Sequence, residues 1–171
     1  SGYLSQIGFS PCGRYITYYR NSDWWVYSIK NKRHVKVTDG LAVYWDNRMS
    51  DAANELKVWG NPGWSSDGKY VLYYDSHDVW MVSVDGTIQK RLTLGKEQKL
   101  RIRLDASSIV EKFEFNYTGK GIASYDLSRP ILLSAFDMHQ GGTGYYTLFP
   151  SKGMKPLVMD SGATTNYQKA R

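Results

Sequence analysis

Little in this chain is equipped to make or break bonds. Its single cysteine, Cys12, excludes an intramolecular disulfide framework and says little about compartment. Cys12 falls in a turn, with no helix or basic partner expected to activate it, so no nucleophilic role is expected. Of the three histidines, His34, His77 and His139, only His77 has a ligand-like neighbourhood. No G-x-S-x-G elbow occurs, since Gly63-Trp-Ser-Ser-Asp67 lacks the closing glycine. Neither a G-x-x-x-x-G-K-[ST] nor a G-x-G-x-x-G phosphate loop is present. Gln140-Gly-Gly-Thr-Gly144 falls between two expected strands and reads as a flexible hairpin loop. No apolar run approaches the ~20 residues of a membrane span, and no signal-peptide pattern is visible. The residues call for no catalytic group, no cofactor and no metal.

What the chain does have is aromatic surface and positive charge. Apolar residues make up 42% and aromatics 15%, enough for a core and too much for a disordered chain. The 14 tyrosines and 6 tryptophans favour strands. The net charge is +6, with Lys and Arg gathered at 30–36 (KNKRHVK) and 96–103 (KEQKLRIR). Such clusters can mark a nucleic-acid footprint. Solvated loops, and charged edge strands that block unwanted pairing, are the simpler reading, and no nucleic-acid partner is expected. In the second cluster Leu100, Ile102 and Leu104 alternate with Arg101 and Arg103, the pattern of a half-buried strand.

The chain also repeats itself. Phe9-Ser-Pro-Cys-Gly-Arg-Tyr15-Ile-Thr-Tyr18 returns as Trp64-Ser-Ser-Asp-Gly-Lys-Tyr70-Val-Leu-Tyr73, an offset of 64 − 9 = 55. Asp23-Trp-Trp25-Val-Tyr-Ser-Ile29 returns as Asp78-Val-Trp80-Met-Val-Ser-Val84, and Thr38-Asp-Gly40 as Thr93-Leu-Gly95, in the same register. A period near this length signals an array whose units bury their apolar faces only by stacking.

Each unit reads as four short antiparallel strands, the content of one propeller blade. In the first, Gln6–Phe9, Arg14–Arg20, Trp24–Ile29 and His34–Thr38 are parted by Ser10-Pro-Cys-Gly13, Asn21-Ser22-Asp23 and Asn31-Lys-Arg33. In the second, Val58–Trp64, Lys69–Tyr74, Val79–Val84 and Gln89–Leu92 follow suit. A third unit is degenerate: Pro130–Phe136, Gly144–Phe149 and Lys155–Met159 resemble strands two to four. Either Leu100–Leu104 or Phe113–Tyr117 supplies its first strand. The expected fold is all-β, about three four-stranded antiparallel blades of a β-propeller. Blade one runs from about 4 to 40, a linker from 41 to 57, blade two from about 58 to 95. Blade three runs from about 99 to 162, with an insertion at 105–129. Met49–Leu56 has room for two helical turns, capped by Ser50 or Asp51. Asn116-Tyr-Thr118 is a sequon of little weight.

Asp75-Ser-His77-Asp78 is the most tempting cluster, a histidine between carboxylates. Its equivalent 55 residues earlier, Arg20-Asn-Ser22-Asp23, makes the same hairpin without the histidine, so a turn explains both copies. Trp25 with Trp80, and Tyr15 with Tyr70, hold equivalent places and are expected to pack against the adjacent blade. Trp24, Trp45 and Trp59 have no repeat partner of their own type. Trp45 and Trp59, together with the isolated Glu55, are the residues expected to face a cavity. Three blades cannot close a ring, so the outer units are expected to expose apolar faces and to self-associate.

Ser-Pro-x-Gly-Arg/Lys-Tyr, then a strand, a short turn and x-Trp-x-Val, resembles the blade signature of TolB-type propellers and of the N-terminal propellers of the prolyl oligopeptidase family. Trp59-Gly-Asn-Pro-Gly-Trp64, Asp67-Gly-Lys-Tyr-Val-Leu72, Asp78-Val-Trp80 and Pro130-Ile-Leu-Leu-Ser-Ala-Phe-Asp137 look like the second, in its dipeptidyl-peptidase-IV-like, Bacteroidetes-type members. The resemblance covers about Phe9 to Asp160. It implies a non-catalytic propeller that gates access of short peptides to a C-terminal α/β-hydrolase domain, in a serine peptidase of the periplasm or exterior of a Gram-negative bacterium. The Ser, Asp and His of that domain have no counterpart here. Val43-Tyr-Trp-Asp46 and Glu55 do not match the acidic Asp-Trp-x-Tyr-Glu-Glu motif of dipeptide-releasing members, and Cys12 stands where the family turn has aspartate. A TolB-type propeller acting as a periplasmic protein-interaction scaffold is the alternative.

Overall fold

Short β-branched and aromatic runs bounded by Gly, Asn and Asp turns leave the chain few choices but strands. The computed structural model describes residues 5–48, 57–114 and 121–160. In chain order the first sheet is β1 (Ser5–Phe9), β2 (Tyr15–Arg20), β3 (Asp23–Ser28) and β4 (Arg33–Lys36), each antiparallel to the next. The second begins with β5 (Gly63–Ser65), β6 (Tyr70–Tyr74), β7 (Val79–Ser83) and β8 (Gln89–Arg91). A single helical turn, α1 (Gly95–Gln98), leads into β9 (Leu100–Leu104). The hairpin β10 (Ile109–Glu114) and β11 (Gly121–Tyr125) follows, then β12 (Ile131–Asp137), β13 (Thr143–Phe149) and β14 (Gly153–Asp160). The third sheet has the order β14-β13-β12-β9.

The 55-residue repeat is a repeat of register. Tyr18 faces Trp25 and Trp25 faces Lys36 in the first sheet; Tyr73 faces Trp80 and Trp80 faces Arg91 in the second. Phe9 opposite Ile16 becomes Trp64 opposite Val71. Because strand side chains alternate, equal register means equal faces. Tyr19, Trp24, Val26 and Val37 of the first sheet therefore meet Trp64, Val71, Tyr73 and Val82 of the second in one buried core. Their equivalents one repeat on, Val79 and Leu92 with Leu72, meet Leu100, Ile102, Leu133 and Ala135 of the third sheet in a second core. Each sheet offers the same face forward.

The first strand of the third sheet is β9, not the segment from Phe113. In β9 Leu100, Ile102 and Leu104 are buried while Arg101 and Arg103 are half-buried, so its alternation matches a one-sided core. Phe113 belongs instead to the β10–β11 hairpin, which joins the second sheet through a parallel pairing of Ser124 and Tyr125 with Trp64 and Ser65. Gly63 permits this approach. Its φ is +147°, and a Cβ there would stand 2.1 Å from the Ala123 carbonyl oxygen.

Residues 41–46, with Val58, fill the seam between the first two sheets. Leu41, Val43 and Val58 pack on the core that contains Trp45, and Asp46 bridges to Val58. Trp45 is 1% exposed, edge-on to both Tyr73 and Trp80. The helical reading of Met49–Leu56, Glu55 with it, and the sequon at Asn116 lie outside the described residues.

Candidate functional site

The hairpin turn after β6 shows what its carboxylates do. Asp75 Oδ1 accepts hydrogen bonds from the backbone N–H of His77 (2.7 Å) and Asp78 (2.5 Å), and its Oδ2 accepts from Trp80 Nε1 (2.9 Å). The His77 ring Nδ1 lies 2.7 Å from Oγ of its neighbour Ser76. Among the described residues no group of three His, Cys, Asp or Glu side chains converges as metal ligands would. Asp78 is buried and satisfied from the far side: Thr93 Oγ1 donates to its Oδ1 at 2.6 Å, Gly95 N at 2.5 Å, and Arg91 Nη1 stands 3.5 Å from Oδ2. Thr93 Oγ1 in turn accepts from Val79 N.

This latch is repeated. In the first sheet Thr38 Oγ1 donates to Asp23 Oδ1 (2.8 Å) and accepts from Trp24 N (3.0 Å), while Lys36 takes the place of Arg91. It ties the strand-three start to the chain leaving strand four in both units. The signal was present in the matched Asp and Thr-x-Gly positions, but matching letters do not reveal that the two residues meet.

Cys12 also proves better connected than its sequence context implied. Its exposed Sγ accepts from Arg14 Nε at 3.4 Å and lies 3.4 Å from Ser10 Oγ. Burial raises the thiol's pKa, but the hydrogen bonds from Arg14 and Ser10 outweigh that and hold it below its ordinary value. In the second unit Asp67 occupies this place, accepting from Ser65 Oγ (2.6 Å) and Lys69 N (3.0 Å). Cys12 thus stands in for a turn aspartate.

Of the residues expected to face a cavity, Trp45 serves the core. Trp59 is half-buried in the segment leading into β5, and the guanidinium of Arg101 lies over its ring, 5.2 Å from the centroid. Arg103 lies in the same way over Tyr74, at 4.3 Å. Strand β9 brings them there. Its backbone is anchored to the β6–β7 turn by Ile102 N to His77 O (2.7 Å) and by Leu104 N to the Tyr74 hydroxyl (2.9 Å). Burial pushes the Tyr74 phenol's pKa up to about 12, so it stays a neutral acceptor for that bond.

Among the described residues the two arginines donate only to carbonyls. Arg101 Nε reaches Ser76 O (3.4 Å), and Arg103 reaches Asp75 O (3.0 Å) and Ile102 O (2.7 Å). Among the described residues neither guanidinium has a carboxylate within ion-pair distance, because Asp75 and Asp78 spend their oxygens as above. Burial works against the charge of Arg103 and lowers its pKa, yet a guanidinium stays protonated at any physiological pH.

Cross-strand register places two rows of side chains on this face of the third sheet. Arg101 pairs with Phe136 and Phe136 with Thr143; Arg103 pairs with Ser134 and Ser134 with Tyr145. Together they line a cleft of about 230 Å³. The sequence located β9 and its alternation, and β9 is the edge strand that the charge cluster suggested; its arginines, however, are half-buried and lie over aromatic rings rather than in solvent. In comparisons with family models, curated proteins and solved structures, nothing matches this chain.

Proposed function

We propose that this chain is a run of three β-propeller blades from a prolyl-oligopeptidase-like serine peptidase, and that it sieves peptides rather than cutting them. The observation that supports the reading best is the interface carried through the molecule. The first sheet meets the second with the same face that the second turns to the third. Repetition of one rotation per unit is how propellers are built. On this reading further blades continue the ring. A C-terminal α/β-hydrolase domain supplies the nucleophile, and the blades admit short peptides by size. The setting is the periplasm or the exterior of a Gram-negative cell.

The outer faces fit that continuation. Ile7 and Phe9 on the first sheet are 52% and 39% exposed, and Phe136 and Leu157 on the third are 43% and 55% exposed. Apolar residues at these positions are covered one repeat further in, where Trp64 replaces Phe9 and is fully buried. The 171-residue chain by itself is therefore expected to self-associate at micromolar concentration, and light scattering measures it.

A fluorophosphonate probe tests the enzymatic part. The full-length gene product should be labelled on a serine outside this chain and should cleave short peptides while sparing folded proteins. A full-length product that takes no label overturns the peptidase reading. If it carries a bound protein instead, the scaffold reading of the TolB type replaces it.

A further inference from the structure

We infer that the cleft beside Arg101 and Arg103 binds a carboxylate, the free C-terminus or an acidic side chain of a peptide. The inference names a ligand group for the peptide-sieving reading above and rests on that reading only for the word peptide. The charge argument stands on the molecule itself.

Two guanidiniums sit two residues apart on one face of β9, about 7 Å along the strand. Carbonyl dipoles and ring faces hold them in place without neutralising them. Each carries more N–H donors than these carbonyls use. A half-buried cation without a counter-ion is costly, and an arriving anion recovers that cost. The arginines are also pre-ordered: stacking on Trp59 and Tyr74 removes the rotamer freedom that a surface arginine gives up on binding. The neighbouring walls select the anion. Phe136 presents an apolar surface, with the hydroxyl of Ser134 in the row of Arg103. A planar, weakly hydrated carboxylate attached to an apolar body matches this wall and the fork geometry of guanidinium. The cleft lies at the β9 end of the third sheet's outer face, so on the ring reading it stays open only where the next blade leaves that end uncovered.

The test uses the whole chain and three peptides. They are an acetylated alanine–alanine–phenylalanine with a free carboxylate, the same peptide as its amide, and an amide with glutamate at the centre. Because Arg101 covers Trp59, binding should change the tryptophan emission, and Trp59→Phe should abolish that change while calorimetry still registers heat. The free acid should bind at least tenfold tighter than the plain amide, and more weakly as salt rises. The glutamate amide separates the two carboxylate sources: binding that matches the free acid assigns an acidic side chain, and binding that matches the plain amide assigns the C-terminus. Arg101→Gln should remove the preference for acid over amide with the urea midpoint unchanged. Arg103→Lys keeps the charge but loses the fork, and should weaken the free acid several-fold. Equal binding of acid and amide, or an unaltered preference in Arg101→Gln, overturns the inference. So does inorganic phosphate binding tighter than the free acid. None of these readouts depends on hydrolase labelling, so the two ideas fail separately.

Discussion

The first and second sheets share strand register, turn positions and the Asp–Thr latch, yet they live in different surroundings. The second is covered on both faces, the first on one. Tyr73 is fully buried, its hydroxyl 2.6 Å from Thr17 Oγ1 and its ring stacked on Trp24 at 4.5 Å. Its equivalent, Tyr18, faces away from the second sheet into a small aromatic group of its own that leaves it 5% exposed, stacked with Trp25 and bonded through its hydroxyl to His34 Nδ1 at 2.7 Å. The difference teaches that the repeat specifies geometry, while neighbours decide how much each residue is worth.

The sharpest way to test that statement is to cut the same position in both sheets. Trp64→Ala removes a fully buried ring and should cost about 3–5 kcal/mol in urea denaturation. Phe9→Ala, one repeat earlier and 39% exposed, should cost about 1 kcal/mol. Equal losses would mean the first sheet's outer face is covered in solution.

The latch comes next. Asp78→Ala strands the Thr93 hydroxyl and the Gly95 N–H in a buried site, while the part-exposed Arg91 keeps Glu97, and should cost about 3 kcal/mol. Asp23→Ala, with Asp23 partly exposed and Lys36 able to turn to Asp39, should cost about 1 kcal/mol. The ratio between the two, read from chemical denaturation at neutral pH, measures burial together with the backbone N–H bond from Gly95 that Asp78 has and Asp23 lacks.

A smaller effect distinguishes the turns after strand three. Asp85 accepts from Ser83 Oγ, Thr87 Oγ1 and Thr87 N, which holds its pKa down to about 2; the first sheet has Lys30 there. A depressed carboxylate pKa stabilises the fold above the unfolded value of about 4 and loses that contribution as pH falls toward 2. The unfolding free energy of Asp85→Asn from urea denaturation should therefore lie below wild type at pH 7 by about 0.5 kcal/mol after solvent screening, and converge with it near pH 2. The smallest change runs the other way. Cys12→Asp restores the turn aspartate of the second unit beside Ser10 and Arg14, and should gain about 0.5 kcal/mol.

Much of the fold could be read from the chain because strand period and turn chemistry are local. The offset of 55 carried five of the six pairings between β2 and β3 into β6 and β7, from Tyr15–Ser28 to Tyr19–Trp24. What escaped was non-local. Nothing in FEFNY tells a hairpin to join β5 rather than β12; that depends on Gly63 leaving room for Ala123. The same holds for the cleft. Alternation located Arg101 and Arg103 on one face of β9, but Trp59 and Tyr74 come from segments 42 and 29 positions earlier in the sequence (101 − 59 and 103 − 74), and their meeting is a property of packing. Trp45 was misjudged for a related reason: an aromatic without a repeat partner proved to be the filler of a seam that the repeat itself does not close.

The parallel pairing of β11 with β5 also sets an order of assembly. All four strands of the first sheet lie within residues 5–36, so a ribosome releases them almost together and each pairs with its predecessor. The second sheet's β5 has one early neighbour, β6, and waits for residues 124 and 125 for the other. Until then a three-residue strand leaves one row of amides and carbonyls open, on the sheet that both cores need. Closing so distant a contact is slow compared with folding a hairpin. During synthesis, then, the molecule passes through a stage in which its central layer is unfinished while its first layer is complete. That interval is where a chaperone would find this chain.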